Sequence, residues 1–148
     1  AHNTASTVLT AALAEVLTLG VKAGVEPQAL WDSMRKGALG RNSVLHQRVP
    51  ESVFINKYEP PKFPLVLLTK DVRLCTEVGR EAGVPMPLVT LTEQILTEAL
   101  NRGWGNMDNP VFFKLQEEAA GVEVRIKLTE EDLKKAGNLV IFNPDANK

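Results

Sequence analysis

Phe63, Lys70 and Asp71 stand within one run, PKFPLVLLTKDVRLCTEVG, over residues 61–79. A flat ring beside an ammonium group suits an anionic or aromatic ligand, because the ring offers a stacking face and the cation an electrostatic anchor. The run is otherwise apolar enough to be a core helix. At about 100° per residue, a seven-residue step falls about 20° short of two full turns. Phe63 and Lys70 are therefore expected on nearly the same side of one helix, together on an exposed concave wall. Taken alone, a Lys-Asp pair is an ordinary solvated pair contributing under about 1 kcal/mol; the spacing from Phe63 raises it above that.

Other polar groups carry less. Ser43 and His46 are three apart, as a nucleophile and base could be, but no strand-turn-helix elbow surrounds them. Two histidines and one cysteine offer no ligand spacing for a transition metal, so no metal is assigned. Glu117, Glu118 and the acidic group at 130–132 read as solvated helix faces or caps, and Trp31 and Trp104 as packing residues.

The elements that must hold these residues are helices. Apolar residues from Val8 to Val21 recur at helical spacing, with Gly24 as the stop, giving a first helix of about six turns that is under way by Thr4. A second starts at Pro27 and ends at Gly37, burying Leu30, Trp31 and Met34. Residues 38–62 contain Gly40, Pro50, Pro60 and Pro61, so a short helix around Ser43 to Arg48 and then an irregular connection are expected. The third helix runs from Pro64 to Ala82 before Gly83, the fourth from the bend Val84-Pro85-Met86-Pro87 to Arg102-Gly103, and the fifth from Asn109 or Pro110 to Ala120 before Gly121. Beyond lies a tail in which VEVRIKL and LVIF look β-prone on either side of an acidic helix start. The fold class is all-α: a multi-helix bundle over 1–121 with a short mixed extension over 122–148.

A chain of 148 residues with 44% hydrophobic content is long enough for one domain with its own core. Seventeen basic against eighteen acidic residues, with no basic stripe, argue against a nucleic-acid partner. The apolar N-terminal segment is broken by Asn3, Thr4, Ser6, Thr7, Thr10, Glu15 and Thr18 and has no basic leader, so neither signal peptide nor membrane span is expected. A single cysteine, Cys75, at a helical core position allows no intrachain disulfide and fits a reducing cytoplasm. A first residue other than Met, and a helix beginning without a capping sequence, read as a chain cut from something longer.

Taken in order, Phe63 to Asp71, the bend Gly83-Val-Pro-Met-Pro87 and the turn Gly103-Trp-Gly-Asn-Met-Asp108 resemble the C-terminal helical domain of the β-hydroxyacid dehydrogenases. That family includes 3-hydroxyisobutyrate dehydrogenase, tartronate semialdehyde reductase and glyoxylate reductase, with 6-phosphogluconate dehydrogenase as a more distant relative. The similarity covers about residues 1 to 121. It implies a Lys-x-x-Asn-Asn motif on the interdomain helix, whose second asparagine matches Asn3 and whose catalytic lysine would lie two residues before Ala1. His2 stands where the family has the first asparagine. By the same resemblance Asn3 is a catalytic and substrate-binding residue, Lys70 contacts NAD or NADP near the nicotinamide, Phe63 packs beside that ring and the substrate, and Asp71 helps fix the substrate site. Ser43 matches a serine found in some members and carries little weight.

The resemblance also implies a small hydroxy-acid substrate, a glycine-rich Rossmann domain that this chain does not contain, and a homodimer. On that reading the isolated chain is inactive. The alternative, from a different class, is a non-enzymatic helical dimerisation module.

Overall fold

The computed structural model describes residues 2–127 except residue 42, together with residues 129 and 131. Side chains are described from Val8 onward. Among the described residues five α-helices are delimited, α1 (His2–Lys22), α2 (Pro27–Lys36), α3 (Leu65–Ala82), α4 (Pro87–Asn101) and α5 (Phe113–Ala120). A π-helix (Val44–Val53) lies between α2 and α3, and a 3₁₀ turn (Asn109–Phe112) leads into α5. Among the described residues no strand forms, and one isolated bridge joins Pro64 to Asp108. The expected all-α class and the order of helices are what is found.

Each boundary has a local cause. Gly83 and Gly121 end α3 and α5 with φ of 67° and 66°, a left-handed conformation that favours glycine. Pro27 and Pro87 open α2 and α4, where a missing N–H has no helical partner to lose. Glu26 caps α2 by accepting from the Ala29 N–H at 3.0 Å. The cap of α4 comes from another helix: the Glu15 carboxylate of α1 accepts from the Leu88 and Val89 N–H groups at 2.8 and 3.1 Å. A charge read only as an interruption of the apolar run thus joins two helices that are 73 residues apart at that contact.

Two apolar clusters hold the bundle. The larger packs Tyr58, Leu65, Leu96, Ala99 and Val111 against Leu68, Val72 and Trp104, tying α3 and α4 to the 3₁₀ turn. The smaller gathers Leu19, Val84 and Met86 around the half-buried Cys75, whose thiol burial pushes above its ordinary pKa. Across the α3–α4 seam, Thr76 donates to Glu93 at 2.6 Å, and the other Glu93 oxygen pairs with Arg73 at 3.4 Å.

Four expectations change. Trp31 is 54% exposed, because α2 packs on α1 through Leu30, which lies against Gly20, and turns its indole outward. The helix expected to end near Arg48 continues through Pro50 to Val53, since i→i−5 hydrogen bonding such as Phe54 N–H to Val49 carbonyl widens the turn around the proline. Helix α3 begins at Leu65 and not Pro64, so Phe63 precedes the helix it was placed on; the proline ring disfavours helical geometry at the residue before it. Residues 122–127 form no strand with any described residue, and the rest of the extension, apart from 129 and 131, lies outside the described residues.

Replacing Glu15 with Ala leaves two N–H groups of α4 without their acceptor. Urea denaturation should show a loss of about 1 kcal/mol, in the range of other cap deletions, with an unchanged m-value.

Candidate functional site

Three of the five residues from 60 to 64 are proline, so Lys62 and Phe63 hold the only backbone N–H groups of that stretch. Asp108 takes both: its Oδ1 accepts from Lys62 N at 3.1 Å and from Phe63 N at 2.9 Å. Its Oδ2 accepts from the Ser52 hydroxyl at 3.2 Å. The carboxylate is 5% exposed, so its desolvation is compensated only by these three donors.

The neighbouring loop completes the clamp. Asp108 N–H donates to the Tyr58 carbonyl at 2.8 Å, and the Asn109 backbone and side-chain amides both donate to the Phe63 carbonyl. The Leu65 and Val66 N–H groups, otherwise unpaired at the start of α3, donate to the carbonyls of Met107 and Gly105. The position of Phe63 is therefore fixed from a loop more than 40 residues later in sequence.

Beside this clamp lies a cleft of about 320 Å³ whose lining includes Arg41, Gln47, Arg48, Lys62, Phe63 and Asn109. Ser43 and Ser52 are also on its wall, but Ser43 gives its hydroxyl proton to the Ala38 carbonyl at 2.9 Å. The Lys62 ammonium pairs with Glu51. The volume and mixed polarity suit a small organic molecule with negative charge.

The candidates fall in different places. Phe63 is half-buried on the cleft wall. Lys70 is not among the cleft's lining residues; its side chain is 62% exposed and lies 3.3 Å from Asp71, itself exposed. Since Phe63 precedes α3, the two-turn helical step does not govern its direction, and the Lys70 ammonium does not join the Phe63 ring on the wall of this cleft. Asn3 lies in the first turn of α1, and its side chain is outside the described residues. His46, three residues beyond Ser43, does not line the cleft. Among the described residues, no three His, Cys, Asp or Glu side chains gather as a metal would need, and no helix is long and apolar enough to cross a membrane.

Glu117 corrects a second reading. It is 5% exposed rather than solvated, and both its oxygens receive the Arg125 guanidinium, the Nη2 contact at 3.0 Å. Arg125 foremost holds the Glu117 carboxyl below the usual range, with the Val124 N–H assisting at 2.8 Å. Arg125 also donates to the Val53 carbonyl, and Ile126 N–H donates to Phe54, so residues 122–126 strap the end of the π-helix that forms one side of the cleft. Burial, and then the Glu117 charge, raise the pKa of Tyr58 beneath this strap. Glu118 is exposed and pairs with Arg102, as expected of a solvated face.

By fold, then, the chain is an all-α domain with a cation-lined cleft where its Pro-rich connection meets α3. Residues 1–115 match the family described as "NAD-binding of NADP-dependent 3-hydroxyisobutyrate dehydrogenase", and the chain belongs to that family. It is 31% identical over 114 residues to the 2-(hydroxymethyl)glutarate dehydrogenase of Eubacterium barkeri, covering 77% of this chain and 37% of that protein. Against the L-threonate dehydrogenase of Cupriavidus necator it is 30% identical, covering 71% and 34%. Against glyoxylate/succinic semialdehyde reductase 1 of Arabidopsis thaliana it is 33% identical, covering 66% and 32%. The chain thus spans about a third of the length of these curated relatives.

Two outcomes test this geometry. Asp108→Ala leaves the Lys62 and Phe63 amides unpaired and should lower unfolding free energy by about 2–3 kcal/mol in urea denaturation. For Glu117 the native state holds the proton more weakly than the unfolded chain, so its stabilisation is present above the ordinary value of 4.5 and is lost as pH falls through the lower native value. Thermal melts from pH 6 to pH 3 should show wild type losing Tm faster than Glu117→Gln, which has no such carboxyl to titrate.

Proposed function

We propose that this chain is the helical, substrate-side half of an NAD(P)-dependent oxidoreductase acting on a small 3-hydroxy or 2-hydroxy acid. The family match over residues 1–115 carries the reading. Names of the relatives support it, since each describes a dehydrogenase or reductase of a small acid or semialdehyde. The cleft adds a chemical reason: cations suit the carboxylate of such a substrate, and a ring held by the Asp108 clamp offers a flat apolar wall.

NAD or NADP, held mainly by a Rossmann domain of the same protein, supplies or takes up the hydride when bound. The exposed Lys70 ammonium, tethered only by its neighbour Asp71, is free to turn toward a nicotinamide end that approaches from outside this domain. Phe63 would pack against ring and substrate. In the first turn of α1, Asn3 would hold the substrate hydroxyl, sharing a helix face with a lysine four residues earlier that moves the hydroxyl proton. Asp71 would hold Lys70 in place and help fix the polar end of the site.

A second reading, a helical dimerisation module without catalysis, draws on the apolar residues that α1 leaves exposed, Val8, Leu9 and Val21. Sedimentation and turnover together separate the two. The isolated 148 residues should show no reduction of NAD or NADP with 3-hydroxyisobutyrate or L-threonate, whereas a longer protein carrying this chain behind a Rossmann domain should show it. In that protein Lys70→Ala should cut kcat/KM by about ten- to a hundredfold, the loss of one charged hydrogen bond. A dimeric longer protein without turnover on any small hydroxy acid favours the module; turnover by the isolated chain contradicts the division of labour.

A further inference from the structure

We propose that the ligand of this cleft carries two anionic groups, one for each of Arg41 and Arg48: beside the carboxylate common to hydroxy acids, a second carboxylate or a phosphate. The inference rests on the hydroxy-acid reading above and adds the substrate class. Three cations line the cleft, but Lys62 is already neutralised by Glu51. Asp108, the other carboxylate on the wall, is occupied by two backbone amides and the Ser52 hydroxyl.

Neither Arg41 nor Arg48 makes an ion pair or a side-chain hydrogen bond with any described residue. The contrast with the other arginines is specific. Arg35, Arg73, Arg102 and Arg125 each have a carboxylate partner, and Arg80 stands in the last turn of α3, where a cation complements the helix dipole. Of the three arginines without a carboxylate partner, Arg41, Arg48 and Arg80, the first two both line this cleft.

Arg48 is also half-buried on the π-helix, where a charge without a counter-charge carries a penalty. A bound anion removes the penalty. One carboxylate is matched by a single guanidinium in a bidentate pair, so two unpaired forks call for a second anionic group. The Phe63 ring on the same wall is the apolar surface for the carbon chain between them, and the strap through Arg125 holds the Arg48 helix in register with it.

The test is titration of the 148-residue chain with glutarate, valerate and inorganic phosphate, followed by ¹⁵N shifts of the Ser43, Gln47, Ser52 and Phe63 amides. Glutarate or phosphate should saturate these shifts at about tenfold lower concentration than valerate, the gain of one charge-assisted contact. Arg41→Gln and Arg48→Gln should each erase that preference while leaving the weak valerate response. Arg41 is exposed, so its variant keeps the test readable should Arg48→Gln unfold. Glutarate ahead of phosphate assigns a second carboxylate, and the reverse order a phosphate. Equal responses to all three ligands, or a preference that survives both substitutions, overturn the inference and leave the hydroxy-acid reading standing. The absence of cleft shifts with all three also overturns the inference, while the hydroxy-acid reading, carried by the family match, is decided by turnover of the longer protein.

Discussion

A stretch with three prolines in five residues has almost no way to hold itself, because proline gives no N–H and forms no regular hydrogen-bonded structure. The connection into α3 therefore depends on one external acceptor. Asp108 gathers both available amides and the Ser52 hydroxyl, and by doing so joins the Pro-rich connection, the π-helix and the 105–109 loop at one buried oxygen pair. A buried carboxylate is unfavourable without donors and favourable with three, so the clamp is specific: shifting the chain by one residue would present a proline where an N–H is required. The cleft is the space these three segments enclose together with Ala38 and Arg41.

Two further carboxylates work in the same way. Glu15 reaches from α1 to the first amides of α4, and Glu117 reaches from α5 to the strap that covers the end of the π-helix. In each case a side chain replaces the backbone acceptor that a helix end or an irregular segment lacks. The apolar clusters give the bundle its bulk stability, while these carboxylates set where the segments between helices lie. The same precision shapes the cleft, whose lining residues Arg41, Arg48, Phe63 and Asn109 are spread over almost 70 residues of chain.

Helices were legible because the apolar period and the Gly and Pro punctuation are local signals, and α1, α3, α4 and α5 lie within a few residues of where those signals put them. Burial was less legible: the period of α2 could not tell that Trp31 faces solvent while Leu30 packs on Gly20. Pro50 read as a stop because its tolerance depends on a widened turn that no short window reveals. Phe63, singled out by its type and its spacing from Lys70, lines the cleft, but the proline after it keeps it off α3. Asp108, Ser52, Glu117 and Arg125 went unrecognised, since their partners are tertiary: Ser52 and Asp108 are 56 residues apart, and no local pattern distinguishes these groups from solvated ones. A buried acid opposite a proline-rich stretch is the signal that could have pointed to Asp108.

The claim beneath all of this is that the Lys62 and Phe63 amides are held by the Asp108 carboxylate. Native-state hydrogen exchange on the wild-type chain measures it directly. Both amides should exchange far more slowly than the unstructured rate, with protection comparable to that of the Leu65 amide at the start of α3. Exchange of the Phe63 amide at the unprotected rate, while α3 and α4 remain protected, would contradict the account.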